Sequence, residues 1–190
     1  MAALSRTLLS ALIAIFIAVP AAADKNDKKR AKILDMRQEV LERLYEDRPE
    51  TRLEVKNSVG YVVFSNVGVN VIFISGGGGK GIAKNQVTGE ETYMRMGTVG
   101  VGLGLGIKDF RAVFVFHDQK AFDDFVEKGW DFSGEADAAA NSEDKGGELS
   151  GATTLSNKVN VYQYNKAGIA LQATLRGTKY WQDKKLNSAD

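Results

Sequence analysis

Residues 97–107 read Gly-Thr-Val-Gly-Val-Gly-Leu-Gly-Leu-Gly-Ile, with an apolar side chain at nearly every second position. Val99, Val101, Leu103, Leu105 and Ile107 share one face, and Gly100, Gly102, Gly104 and Gly106 share the other. Only a backbone of period two sorts residues this way, so the stretch reads as a strand. Glycine inside a strand weakens it, and four in register need a reason. Either another backbone approaches closely or the sheet bends tightly there, or the bare face is a shallow groove for an acyl chain. In each case the chain is built around a sheet.

The flanking sequence supplies the rest of the fold. Gly60-Tyr-Val-Val-Phe64 and residues 69–74 read as strands, and residues 81–84 and 91–96 as a strand pair across a turn at Thr88-Gly89. The apolar run from Ala112 to Phe116 suits a strand buried on both faces. Asp118 then caps a helix with the stripe Ala121, Phe122, Phe125, Val126, which Gly129 ends. Residues 131–140 read as a further strand, 141–147 as a polar loop, and 159–164 with 169–176 as a terminal hairpin. Upstream, Ile33, Met36, Val40 and Leu44 recur at helical spacing, and Pro49 ends that helix before a short second one over 50–56. The expected fold is α+β: a curved antiparallel sheet or partly closed β-barrel, with the N-terminal helices and one internal helix packed on it.

The chain has no Cys, so neither disulfides nor thiol chemistry can contribute. Arg6, the apolar run over residues 8–19 and Ala21-Ala22-Ala23 form the three parts of a cleavable signal peptide. The run is shorter than the roughly 20 residues a membrane-spanning helix needs. Residues 1–23 are therefore read as a signal peptide, 24–32 as a basic leader, and 33–187 as a single domain. The expected location is periplasmic or secreted, after cleavage near Ala23. Without Arg6 the remaining Lys and Arg balance the 24 acids, and a neutral chain is not built for nucleic acid.

Gly76-Gly-Gly-Gly-Lys-Gly81 matches the spacing of a dinucleotide fingerprint, but it leads into a turn at Thr88-Gly89 where that fingerprint needs a helix. A phosphate-binding P-loop would need glycine at Ile74 and Ser or Thr at Gly81. Successive glycine amides beside a lysine can still cradle an anion, such as a lipid phosphate. The alternative is a plain hairpin loop. His117 is the single histidine, without a Ser/Asp pattern around it, and one histidine makes no metal cluster. Asp131, Glu135, Asp137, Glu143 and Asp144 lack calcium-loop spacing. No catalytic residue, metal site or cofactor is expected. The leader carries Lys25, Lys28, Lys29, Arg30 and Lys32 against Asp24 and Asp27, ahead of an amphipathic helix. That arrangement suits an anionic membrane surface, or a charged lead-in to a helix packed on its own domain.

In order along the chain, Gly60-Tyr-Val-Val-Phe-Ser-Asn-Val67, Gly76 to Gly81, Gly100 to Gly106, Val113-Phe-Val-Phe116, Ala121-Phe122 with Phe125, Gly129-Trp130, Gly168-Ile-Ala-Leu-Gln and Leu175-Arg-Gly177 resemble the SYLF-domain family of lipid-binding proteins. The likeness spans about three quarters of the chain. It departs at Ser65, where the family has proline, and at Arg176, where the family has glutamate. It implies phospholipid binding, including phosphoinositides in eukaryotic members, and no catalysis; eukaryotic members are also tied to actin. The expected function is non-enzymatic binding of anionic phospholipid in the bacterial envelope. The expected contacts are Lys80, Lys84 and the amides of Gly76, Gly77, Gly78, Gly79 and Gly81, aided by Lys28, Lys29 and Arg30. The alternative is a structural or interaction module that binds another envelope protein.

Overall fold

The computed structural model describes residues 25–66, 78–98, 110–131, 152–156, 158–165, 168–169 and 178–188. In chain order these form α1 (Lys25–Asp47), α2 (Thr51–Asn57), β1 (Gly60–Ser65), β2 (Gly78–Asn85), β3 (Glu91–Thr98) and β4 (Arg111–Phe116). Next come α3 (Gln119–Lys128), β5 (Trp130–Asp131), β6 (Ala152–Ser156), β7 (Val159–Asn165), β8 (Gly168–Ile169), β9 (Thr178–Gln182) and α4 (Lys184–Asn187). The expected signal peptide, the strand expected at 69–74, Gly76, Gly77, the alternating stretch from Val99 onward, the segment 132–150 and, beyond Ile169, the hairpin strand expected at 169–176 lie outside the described residues.

All strands pair antiparallel in one sheet of order β5-β9-β3-β2-β1-β4-β7-β6, with β8 beside β7. The sheet is curled into a half-barrel, and the ring contacts show how tightly. Tyr180 on β9 and Phe114 on β4 are four strands apart, about 19 Å in a flat sheet. Their rings are 5.1 Å apart. Trp130 on β5 lies one strand further out, yet its ring is 5.9 Å from that of Phe116. The inner face therefore folds onto itself around Phe64, Phe114, Phe116 and Tyr180, and Phe122, Phe125 and Val126 of α3 fill the remaining space. Such aromatic pairs add about 0.5–1.5 kcal/mol each beyond area burial.

The elements arise where local chemistry favours them. The Asp118 side chain accepts a hydrogen bond from the Ala121 N–H at 2.9 Å and starts α3. Gly129, at φ 73°, ends it in the left-handed conformation that glycine tolerates best. On the outer face, Ile33, Val40 and Leu44 of α1 are buried, Val40 and Leu44 against Tyr61, Val63, Val113 and Val115. The described part of α1 already includes Lys25, so Lys25 to Lys32 of the stretch read as a leader are helical. The expected loop over Gly76 to Gly81 is likewise corrected: from Gly78 onward these residues are strand.

Gly79 and Gly81 face the interior, and here the absence of a side chain is a packing requirement. A Cβ on Gly81 would lie 2.3 Å from Phe64 Cδ1 and 2.6 Å from the Val63 carbonyl oxygen. The Phe64 ring occupies that space on its way to Tyr180, 4.8 Å off between centroids. Gly81→Ala should cost about 1–3 kcal/mol, the usual penalty for overpacking a filled core. Denaturant unfolding of the variant checks this, and an unchanged midpoint would show that the sheet need not curl over β2.

Candidate functional site

Alternation along β2 sends Lys80, Ile82 and Lys84 to the outer face, opposite the glycines. Ile82 is buried there against Ile33 of α1 and Leu186 of α4. Both lysines are engaged. Lys80 Nζ sits 2.6 Å from Asp183 Oδ2, whose side chain is only 6% exposed. Arg95 Nε approaches the same oxygen at 3.9 Å. Asp183 is also the N-cap of α4, accepting from the Leu186 N–H at 3.4 Å. Burial pushes its carboxyl up, but the bond from Lys80, the charges of Lys80 and Arg95 and the bond from Leu186 outweigh it, and the pKa falls below its ordinary value. Lys84 Nζ donates to the Gly89 carbonyl at 2.7 Å and approaches Glu91 at 3.3 Å. Arg37 of α1 donates to the same Glu91 oxygen at 2.7 Å.

The glycine amides belong to the ladder. Gly78, Gly79 and Gly81 pair with Gly97, Met96 and Met94 of β3, and Gly81 also pairs with Phe64 of β1. An anion at Gly81 would have to displace a neighbouring strand.

Arg30 is committed to a clasp between the two ends of the described chain. Its Nε donates to the Leu186 carbonyl at 3.0 Å, Nη2 to the Ser188 carbonyl at 3.1 Å, and Nη1 to Asp27 at 2.9 Å. Those carbonyls lie at the C-terminal end of α4, where a helix lacks partners of its own. Asn187 completes the clasp: its Oδ1 accepts from the Tyr93 N–H and its Nδ2 donates to the Tyr93 carbonyl, both at 2.8 Å. The start of α1 and the whole of α4 are thereby fixed side by side on the outer face.

Of the cations named from the sequence, this leaves Lys25, Lys28, Lys29 and Lys32 without an ion pair among the described residues. The clasp adds two that sequence reasoning missed, the exposed Lys184 and Lys185. Lys25 and Lys32 stand on the same turns of α1. Asp27 and Asp183, the acids of the clasp, are each held by a cation. Two residues before Asp183, Trp181 is 39% exposed, with the Arg95 guanidinium 5.9 Å from its ring centroid. An exposed Trp beside two lysines in Trp181-Gln-Asp-Lys-Lys185 was the available signal.

His117 belongs to a different cluster, at the far end of β4. Its Nε2 lies 3.2 Å from Glu54 Oε1, and Asn160 Nδ2 donates to that oxygen at 2.7 Å. The Tyr162 hydroxyl donates to Glu54 Oε2. Burial and the Glu54 carboxylate push the Tyr162 pKa up, so the group is held as a phenol. These contacts tie α2 to β4 and β7. Among the described residues, no group of three or more His, Cys, Asp or Glu is placed to hold a metal ion. Nor is any helix among them long and apolar enough to cross a membrane.

With this geometry in view, two comparisons bear on kinship. The Ysc84 family, described as "Las17-binding protein actin regulator", matches residues 97–189. The protein called Beta cell expansion factor A of Aeromonas veronii is 33% identical over 161 residues, which is 83% of this chain. The chain belongs to the Ysc84, or SYLF, family. It spans 58% of the length of that relative.

The buried ion pair gives this site a pH signature. Because the folded Asp183 pKa lies below the unfolded one, the pair stabilises the fold above the unfolded carboxyl value of about 4. That contribution shrinks as the pH falls from there through the folded value. Asp183→Asn should lower stability at pH 7 and flatten the dependence between about pH 5 and 3. Urea unfolding at several pH values measures both effects.

Proposed function

We propose that this protein is a non-enzymatic phospholipid-binding protein of the bacterial envelope, exported by a signal peptide cleaved near Ala23. It meets anionic head groups through the cationic face of its terminal clasp. The observation that supports this best is the Arg30 clasp, which joins the start of α1, carrying Lys28 and Lys29, to α4, carrying Lys184 and Lys185, with the acids Asp27 and Asp183 already paired. Lys80, Lys84 and Arg30 act here as scaffold, holding the face that the other lysines present. Each cation near an anionic surface contributes about 1 kcal/mol, and salt screens it. Trp181 supplies an aromatic ring of the kind that sits at the boundary between lipid and water.

The test is flotation with vesicles. Recovery should be high with anionic vesicles, low with neutral ones, and should fall as salt rises. Reversing two cations in Lys184→Glu/Lys185→Glu should cut binding at least about tenfold. Lys80→Gln should lower stability while leaving the affinity of the folded fraction nearly unchanged. Equal recovery with neutral and anionic vesicles removes the head-group claim. A second reading, a module that binds another envelope protein, draws on the family's description as Las17-binding. Among the described residues the sheet path also ends at β5 and β6, either of which could accept a partner's strand. Pull-down of a protein partner from lipid-free material would favour it.

A further inference from the structure

We infer that the cavity between α3 and the turn end of β2 and β3 is a binding site for a small protonated amino alcohol. The cavity holds about 250 Å³ and is lined by Asn85, Glu90, Phe122, Asp123, Val126 and Glu127, among others. That is below the roughly 300–1,000 Å³ of drug-sized sites, so its occupant is a small group. It lies on the inner-face side of the sheet, away from the lysines of the clasp, and the inference does not depend on the proposal made for them.

Three features define the chemistry. First, Glu90, Asp123 and Glu127 place three carboxyl groups at the cavity, and none forms an ion pair among the described residues. The one hydrogen bond from a side chain is that of Gln119 Nε2 to Asp123 Oδ1, at 2.8 Å. Second, Phe122 and Val126 form an apolar wall, buried to 4% and 9% exposure. Third, Asn85 is 9% exposed, and its Oδ1 is taken by the N–H groups of Val87 and Thr88 at 2.9 and 3.0 Å. Its Nδ2 has no hydrogen-bond partner among the described residues, which leaves that donor available to the cavity that Asn85 lines.

A hard divalent ion does not match this set. Calcium takes six to eight oxygens, and an apolar wall and an N–H donor serve it badly. An organic ammonium does match: carboxylates meet the charge, Phe122 and Val126 meet the hydrocarbon, and the face of Phe122 itself attracts a cation. The unused Asn85 donor calls for an acceptor oxygen on the same ligand. Ethanolamine is the smallest compound with all three parts, and it occurs both free and as a phospholipid head group.

The experiment records amide NMR spectra of the folded chain during titration with ethanolamine. Ethanol and calcium serve as controls, and short-chain phosphatidylethanolamine is compared with phosphatidylglycerol. Saturable shifts of the α3 amides and of the Asn85 side-chain amide are expected with ethanolamine and not with ethanol. Glu127→Lys, at an exposed helix position, should weaken them several-fold, as should Glu90→Gln/Asp123→Asn. The same shifts with phosphatidylethanolamine, and none with phosphatidylglycerol, would assign the amine to a lipid; shifts with free ethanolamine alone would assign it to a soluble ligand. Absence of saturation, no effect of either variant, or displacement of ethanolamine by calcium at comparable concentration would overturn the inference.

Discussion

The contact between Phe64 and Tyr180 sets the form of this protein. Their strands are separated by β2 and β3, yet their rings are 4.8 Å apart, because the sheet between them carries no side chains at Gly79 and Gly81 on that face. Curling closes the inner face over an aromatic cluster and leaves the outer face to α1. It also decides the fate of every charge on β2. With the glycines turned inward, Lys80 and Lys84 must point outward, where Asp183, Glu91 and the Gly89 carbonyl receive them.

The outer face is consequently organised by ion pairs and charge-assisted hydrogen bonds that join distant parts of the chain. Lys80 reaches across to Asp183, Arg37 to Glu91, and Arg30 to the carbonyls of Leu186 and Ser188. Of these charges Asp183 is the buried one, with 6% of its side chain exposed, and removing Lys80 would leave it uncompensated, which is far more costly than the pair is favourable. These residues therefore belong to the scaffold. Lysines at the start of α1 and on α4, which have no ion-pair partner among the described residues, are the ones at liberty to meet an external anion.

Much of this was legible in the sequence where the signal is local. Asp118 with Gly129 marked α3 at both ends, Thr88-Gly89 marked the β2–β3 turn, and Ala112 to Phe116 reads as the buried strand it forms. The curved antiparallel sheet with helices on it came from the same patterns. What escaped depends on contacts across the chain. Successive glycines carry no periodicity, so the place of Gly78, Gly79 and Gly81 in β2 is set by the Phe64 ring and by β3. A charge does not announce its partner: Lys80 and Asp183 are 103 residues apart. Residues Lys25 to Lys32 have little apolar stripe, and it is the clasp to α4 that anchors them as helix.

Amide hydrogen exchange, with and without anionic vesicles, separates the two roles given to the glycines and the lysines. The account predicts slow exchange at Gly79 and Gly81 in the free protein, unchanged by vesicles, and new protection over the first turns of α1 and over α4 when vesicles are added. Rapid exchange at those glycines in the free protein, with protection gained there on membrane binding, would contradict it.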